Sequence, residues 1–210
     1  MELIDTVALS LGAAWASGIN LYAALFMLGF MHSGGYLELP PDLLVLADPL
    51  VMIAAAFMYC VEFFADKTPG VDSLWDGLHT FIRIPAGALL AAGAVGDVGQ
   101  GAQLAALLVG GTLAAGSHTA KAGGRVLINT SPEPFSNWAA SIGEDLLVIG
   151  GLWAALNHPW LFVAGLVAFV LLLAWLLPRL LRAIAALFRR LRDWMRGARP
   201  APNRPPGDGP

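Results

Sequence analysis

The sequence predicts an all-α polytopic membrane protein with about six transmembrane helices. Of its 210 residues, 57% are hydrophobic and 13% are charged, and the mean hydropathy is +0.67. Soluble globular chains are roughly 45–50% apolar and about 25% charged. Apolar stretches close to the roughly 20 residues that cross a bilayer recur along the chain, and polar residues follow them at helical spacing. These observations exclude an ordinary soluble domain.

The apolar stretches define the predicted spans in chain order. They are Leu9–Met31, Leu43–Phe64, Leu78–Val95, Ala102–Ala122, Trp138–Leu156 and Trp160–Leu177. Together they place the transmembrane domain at residues 1–177. The lipid bilayer is therefore the expected environment of most of the surface, and no nucleic-acid partner is expected.

Positive charge is concentrated at the C-terminal end. Residues 178–210 contain eight arginines and two acidic residues, whereas residues 1–177 contain four basic and thirteen acidic residues. Because Lys and Arg resist translocation, both termini are expected in the cytoplasm, with the protein in the bacterial inner (cytoplasmic) membrane. Residues 178–199 read as a basic amphipathic helix that binds anionic lipids. Residues 200–210 are predicted to form a disordered tail.

The two halves of the chain resemble each other. "AWASGIN" at residues 14–20 aligns with "TLAAGSH" at residues 112–118, and "ADPLVMI" aligns with "EDLLVIG" at nearly the same offset. This indicates a 3+3 inverted repeat, with repeat 1 at about 5–97 and repeat 2 at about 102–177; such repeats place a site near the membrane midplane. Dense Gly and Ala residues favour close helix packing and are compatible with a homodimer.

Polar residues form stripes with helical spacing, which places each stripe on one helix face. Breaks at Pro69-Gly70 and at "NTSPEPFSN" predict broken or re-entrant polar segments, with Asp72 or Ser73 as a helix cap. Candidate ion- or proton-binding residues are Glu62, Asp66, Asp72, Asp76, His79, His118, Glu144 and Asp145. Candidate charge partners or anion-binding residues are Lys67, Arg83, Lys121, Arg125, Asn129, Ser131 and Asn137.

Glu144 and Asp145 lie side by side in the middle of a predicted span. A charge at the bilayer centre costs about 2.5–3.5 kcal/mol on insertion scales, so two adjacent acids cannot face lipid. They are expected to face a wet cavity, a cation or basic partners. Two interpretations stay open: ion pairs with Arg83, Lys121 or Arg125 that hold the helices together, or a cation- or proton-binding site.

Four segments together resemble a bacterial membrane family catalogued as domain of unknown function 4126. They are "GINLY", "EFFADKTPGVDSLWDGLHTFIR", "HTAKAGGRVLINTSPEPFSNW" and "ED", between about Asp5 and Pro159. The resemblance implies a membrane protein and no specific activity.

"EFFADKT" is also similar to the Glu-x-Gly-Asp-Lys-Ser/Thr signature of inverted-repeat manganese and calcium transporters. That similarity implies metal ligation by Glu62, Asp66 and Glu144. The sequence departs from the signature in two ways: it has one more residue between Glu62 and Asp66, and Ala65 replaces the glycine.

The favoured function is therefore a transporter or channel for a small ion. A divalent cation exchanged for protons fits the carboxylates and histidines, because hard cations prefer oxygen ligands. Apart from that bound cation, no cofactor is expected. One alternative is an anionic solute or lipid transporter that uses the basic stripe, and another is a structural or assembly protein. An enzyme is not expected, since the chain has no nucleophile elbow and no His-Glu-x-x-His motif.

Overall fold

The computed structural model describes residues 2–130 and 134–195, and these form helices without a strand. The helices are α1 (Leu3–Ser33), α2 (Pro49–Ala65), α3 (Val71–Val95), α4 (Gln100–Ile128), α5 (Pro134–Asn157) and α6 (Pro159–Met195). Short 3₁₀ helices at Pro41–Ala47 and Gly96–Val98 precede α2 and α4. The all-α class is confirmed. The predicted tail at 200–210 and Ser131 lie outside the described residues.

The predicted number of spans is not confirmed. Among the described helices, four are long and apolar enough to cross a membrane, namely Leu3–Ser33, Val71–Val95, Phe135–Asn157 and Pro159–Asp193. A fifth results if Pro41–Ala47 and α2, which meet at 66°, are one bent span. The helix α4 has 29 residues, but His118, Lys121 and Arg125 make its second half polar.

The predicted break between the second and third spans is confirmed. Helix α2 ends at Ala65 and α3 begins at Val71, after Gly70 with a φ of 85°. A residue with a Cβ adopts that left-handed conformation only with strain, so glycine suits this corner. The predicted caps need correction, because Gly70 holds the N-cap position. Asp72 instead accepts hydrogen bonds from the backbone N–H groups of Gly70 and Ser73, at 2.9 and 2.6 Å.

Helix α6 is longer than the predicted sixth span. It runs without interruption through Pro178 to Met195. Residues 178–195 of the predicted basic helix thus continue the preceding helix, and residues 196–199 lie outside the described residues. Prolines are tolerated in membrane helices when local adjustments satisfy the freed carbonyl. The carbonyl that Pro178 leaves without its helical donor is that of Ala174, four residues earlier.

Helix α1 is the centre of the described structure, because it contacts each of the helices α2 to α6. In the most apolar 18 residues of α1, 72% of the residues are buried inside the protein, whereas the corresponding value for α6 is 11%. The close packing expected from small residues is present where α1 crosses α4. A Cβ added at Gly18 would collide with the Ser117 hydroxyl and the Ala114 carbonyl.

The inverted repeat is not confirmed. Helix α1 packs against α3, α4 and α5, whereas its sequence counterpart α4 packs mainly against α3 and α1. The backbone of α1 also leaves the helical conformation at Asn20, where φ is −144° and ψ is 95°. The aligned residue in α4, His118, lies inside a continuous helix. At these positions α1 and α4 therefore differ in packing and in backbone conformation.

Candidate functional site

Seven ionisable side chains meet in the interior of the protein and are called the charge cluster below. They are Glu62, Asp66, Asp76, Glu144, Arg83, Lys121 and Arg125. Six of them are at most 4% exposed at the side chain, and Glu144 is 17% exposed. They come from α2, the turn after it, α3, α4 and α5, so the cluster joins segments from both halves.

The two arginines of the charge cluster each hold carboxylates at short distance. Arg83 donates through Nη2 to Glu62 Oε1 at 2.6 Å and through Nη1 to Asp76 Oδ1 at 2.9 Å. Arg125 binds both oxygens of Glu144, at 3.2 and 2.7 Å. Such a two-pronged contact is the strongest form of this ion pair, because the planar guanidinium matches the carboxylate. Arg125 therefore fixes the position of the Glu144 side chain through two contacts.

The ammonium group of Lys121 lies at the centre of the charge cluster. It donates to Asp66 Oδ2 at 2.7 Å, to the Ile19 carbonyl at 3.0 Å and to Glu62 Oε1 at 3.2 Å. Glu144 Oε2 and Asp76 Oδ1 lie slightly further away, at 3.5 and 3.8 Å. We call these five oxygens the ammonium cage. It surrounds one positive charge with oxygen atoms from four carboxylates and one peptide.

The break in α1 supplies the peptide oxygen of the cage. In an unbroken helix the Ile19 carbonyl would accept from the N–H of Ala23. Here that N–H donates to Asn20 Oδ1 at 3.0 Å, which caps the second part of α1. The Ile19 carbonyl accepts from Lys121 instead. One residue, Asn20, thus frees a carbonyl for the lysine and satisfies the N–H left behind.

Three carboxylate oxygens of the charge cluster have no hydrogen-bond partner among the described residues. They are Glu62 Oε2, Asp66 Oδ1 and Asp76 Oδ2, and all three are buried. Within the charge cluster itself, four acidic side chains face three basic ones. Native proteins rarely leave buried acceptors unpaired, and charged ones are the most costly. The site therefore has both the charge and the free oxygens to take up a further cation or a proton.

A second polar layer lies beside the charge cluster. Asp145 turns away from its neighbour Glu144 and accepts from Asn20 Nδ2 at 2.9 Å, and the Tyr59 hydroxyl also bonds it. Lys67 donates to Ser141 Oγ at 3.0 Å, with its ammonium 3.0 Å from the centre of the Phe63 ring. The two adjacent acids of α5 therefore serve different sets of partners.

Asp72, Asn129 and Asn137 form a separate group at the ends of α3, α4 and α5. Asn129 donates to both oxygens of Asp72, at 2.7 and 2.9 Å, and accepts from Asn137 at 2.8 Å. Asn137 joins this group to the charge cluster, because its carbonyl accepts from Arg125 at 3.1 Å. These side chains tie helix ends together and contribute no atom to the ammonium cage.

The two predicted histidines also lie outside the cage. His79 pairs with the Tyr22 hydroxyl at 3.0 Å and the Trp75 carbonyl at 2.9 Å, and it stacks on the Trp75 ring. His118 contacts the Thr80 hydroxyl at 2.8 Å and an Arg83 nitrogen at 3.4 Å. His118 thus borders the charge cluster through Arg83, and His79 does not reach it.

The structure does not group Glu62, Asp66 and Glu144 as a metal site. Among the described residues, no three His, Cys, Asp or Glu side chains are arranged to hold a metal ion. The ammonium of Lys121 lies within ion-pair distance of all three carboxylates, at 3.2, 2.7 and 3.5 Å. Sequence reasoning also missed Asn20 as a site residue. The signal was present, since "GINLY" contains an amide side chain in the middle of an otherwise apolar span.

The fold and site together define a helical membrane protein with a buried, carboxylate-rich charge cluster. The chain belongs to the family described as Domain of unknown function (DUF4126), which it matches over residues 7–179. That match covers all seven residues of the charge cluster. No curated protein and no solved structure matches the chain.

Proposed function

We propose that the protein is an inner-membrane transporter for a small cation, and that Lys121 occupies the cation's place in the described conformation. The observation that carries this proposal is the ammonium cage, in which five oxygens surround one positive charge at 2.7–3.8 Å. A lysine on a flexible four-carbon stem can withdraw and return. The same oxygens then serve a transported cation in turn with the lysine.

The charge balance favours a divalent cation. With Lys121 withdrawn, the four acidic side chains of the charge cluster are paired within it by Arg83 and Arg125, so the cluster has two more acidic than basic groups. Hard divalent cations prefer carboxylate and carbonyl oxygens, and both kinds are present in the cage. Three unpartnered carboxylate oxygens add to the ligands available.

The break in α1 supports a moving site. Discontinuous helices that expose backbone carbonyls to a cation near the midplane are a recurring feature of secondary transporters. In this chain the break at Asn20 lies directly at the cage, since Ile19 contributes a carbonyl to it. A change of the backbone at this one residue would alter the cage without unfolding either part of α1.

The same contacts favour one alternative, a purely structural charge cluster. Each of Arg83, Lys121 and Arg125 lies within ion-pair distance of at least two carboxylates, and such a network holds helices together without moving anything. The anion alternative has less support. The guanidinium of Arg125 is already engaged by Glu144, Asn137 and the Asp66 carbonyl.

The experiment is a flux measurement in proteoliposomes that contain a dye sensitive to manganese or calcium. Wild-type protein should admit the cation, and Asp66→Asn should abolish entry while the purified protein remains folded. Asp72→Asn is the matched control, because Asp72 is equally buried but lies outside the cage. It should retain flux. Equal flux in wild type and Asp66→Asn, or no cation flux from folded wild type, contradicts the proposal.

A further inference from the structure

An apolar groove lies between α4 and α6, away from the charge cluster. Its volume is about 720 Å³, within the roughly 300–1,000 Å³ of typical ligand pockets. The buried side chains Leu113 and Leu166 and the exposed side chains Leu108 and Leu171 all line it, so the groove reaches from the interior to the surface. Among the described residues that line it, Thr112 alone is polar, and its hydroxyl donates to the Leu108 carbonyl at 2.8 Å. The groove therefore offers contacts suited to a hydrocarbon chain.

The face of α6 that lines the groove continues into arginines. Arg182 and Arg189 follow Leu171 by 11 and 18 residues, close to three and five helical turns, so the three side chains share one face of α6. Leu177 is the last residue of α6 in the lining, and Arg182 lies about 8 Å beyond it along the helix. Arg182 Nε donates to the Pro178 carbonyl at 3.0 Å, which draws the guanidinium back by one turn towards the groove.

The positive charge at this end of α6 is not balanced within the described part of the chain. Arg192 lies 3.7 Å from Asp193, and both side chains are more than half exposed. Among the described residues, no carboxylate lies within ion-pair distance of the other arginines of α6, which are Arg179, Arg182, Arg189 and Arg190. An anionic ligand would therefore meet no competing acid at Arg182.

We propose that the groove binds one acyl chain of an anionic phospholipid, with the lipid phosphate on Arg182. The order of the groups matches such a lipid, because a hydrocarbon surface is followed at one end by a guanidinium. Arginine recognises phosphate with two parallel hydrogen bonds, and the terminal nitrogens of Arg182 remain available for them. Arg189 adds attraction for negative charge further along the same face. The result is a site for one lipid, which differs from general adsorption of a basic helix to a charged membrane.

A second copy of the chain is the other candidate occupant, and the charges argue against it. In a two-fold dimer within a membrane, the same ends of both α6 helices lie on the same side of the bilayer. Contact through this groove would then bring Arg182 of each copy near the arginines of the other. A lipid phosphate supplies the opposite charge instead. Anionic lipids are also the usual partners of basic segments that follow membrane helices.

The test is native mass spectrometry of the purified full chain in detergent, with phosphatidylglycerol or phosphatidylcholine of identical acyl chains added. Wild type should retain one phosphatidylglycerol per chain in preference to phosphatidylcholine. Arg182→Gln should weaken phosphatidylglycerol binding about fivefold and leave phosphatidylcholine binding unchanged. Arg190→Gln is the matched control, because Arg190 is also exposed but points about 100° away from the face of Leu171. It should have a smaller effect.

A second pair of variants tests the groove itself. Leu171→Trp places a larger side chain in the groove and should reduce the binding of both lipids. Leu172→Trp makes the same change at the next residue, which is 55% exposed and lies outside the lining, and it should retain the lipid. All four substitutions are at exposed positions, so the protein is expected to remain folded.

Three results would overturn the proposal. The first is equal retention of the two lipids by wild type. The second is phosphatidylglycerol binding that is unchanged in Arg182→Gln and in Leu171→Trp, or lost equally in Leu172→Trp. The third is a dimer mass without bound lipid that Leu171→Trp converts to a monomer, which would show that a second copy occupies the groove. The site is separate from the charge cluster, so none of these results depends on the proposed transport.

Discussion

The segments around Asn20 in α1 and His118 in α4 differ in backbone conformation and in the hydrogen-bonding groups that they offer. The segment in α1 is uncharged and broken, and it offers backbone carbonyls. The segment in α4 is an unbroken helix that carries donors, and two of these, Ser117 and Lys121, bond the Trp15 and Ile19 carbonyls of α1. Each segment supplies what the other lacks. The two segments therefore contribute different groups to one site.

The comparison also explains why a lysine is tolerated in the interior. A buried ammonium needs several acceptors, since an unpaired one costs several kcal/mol. Carboxylates alone would leave the position of Lys121 along α1 undefined. The carbonyl released by the break fixes that position, 3.0 Å from the ammonium. The break and the lysine thus depend on each other.

The largest effect is expected when Lys121 is replaced by methionine, which has a similar length and no charge. Four carboxylates then face two arginines, and breaking a buried ion pair in this way costs about 3–5 kcal/mol. Thermal or denaturant unfolding in detergent would measure the loss. The comparison variant is Lys67→Met, which removes a lysine outside the cage and should cost less. Equal losses in the two variants would contradict the central position of Lys121.

A steric change at the contact between the two segments comes next. Gly18→Ala places a Cβ against the Ser117 hydroxyl and the Ala114 carbonyl, and such overpacking costs about 1–3 kcal/mol. In the matched control Gly77→Ala, the new Cβ has no atom within 4 Å. That control should be neutral or slightly stabilising, because alanine is the better helix former. If both variants unfold at the same temperature, α1 and α4 are not in close contact at Gly18.

The break itself can be tested at Asn20. Asn20→Ala removes the cap on Ala23 and the bond to Asp145, and loss of a cap costs about 0.5–2 kcal/mol. Asn20→Ser keeps a capping oxygen and should retain most of the stability. Unfolding of the two variants would be compared with that of wild type. An alanine variant as stable as wild type would mean that the side chain does not stabilise the break.

A further prediction concerns the coupling between Lys121 and Asp66. In a double-mutant cycle, Lys121→Met and Asp66→Asn should be less damaging together than the sum of the two single changes, by about 0.5–3 kcal/mol. The reason is that Asp66 is the nearest carboxylate to the ammonium, at 2.7 Å. Additive losses would show that the two groups do not interact, and the cage would then lack its shortest contact.

Helical spacing predicted which residues share a face, and much of the site follows from it. Asp76 and Arg83 lie on one face of α3, and Lys121 and Arg125 lie on one face of α4. Which face of one helix lies against which face of another could not be predicted, because it depends on the angles at which the helices cross. Glu144 and Asp145 illustrate this: the sequence left open whether they pair with bases or bind a cation. In the structure Glu144 pairs with Arg125, while Asp145 accepts from Asn20.

Other features could not be predicted because they are set by distant partners. A single asparagine in an apolar span does not by itself break a helix. The break at Asn20 is stable because Lys121, 101 positions later in the chain, satisfies the Ile19 carbonyl. The continuity of α6 through Pro178 was also not predicted. A proline commonly ends a helix in water, but it is tolerated inside membrane helices.

We propose that Lys121 occupies the place of the transported cation, and a binding measurement tests this proposal most directly. Titration of manganese or calcium into purified wild type and Lys121→Met, followed by calorimetry or thermal shift, would compare their affinities. The account predicts tighter binding to Lys121→Met, because no resident ammonium must be displaced, together with loss of flux. Equal affinity for the two proteins, or weaker binding to Lys121→Met, would contradict it.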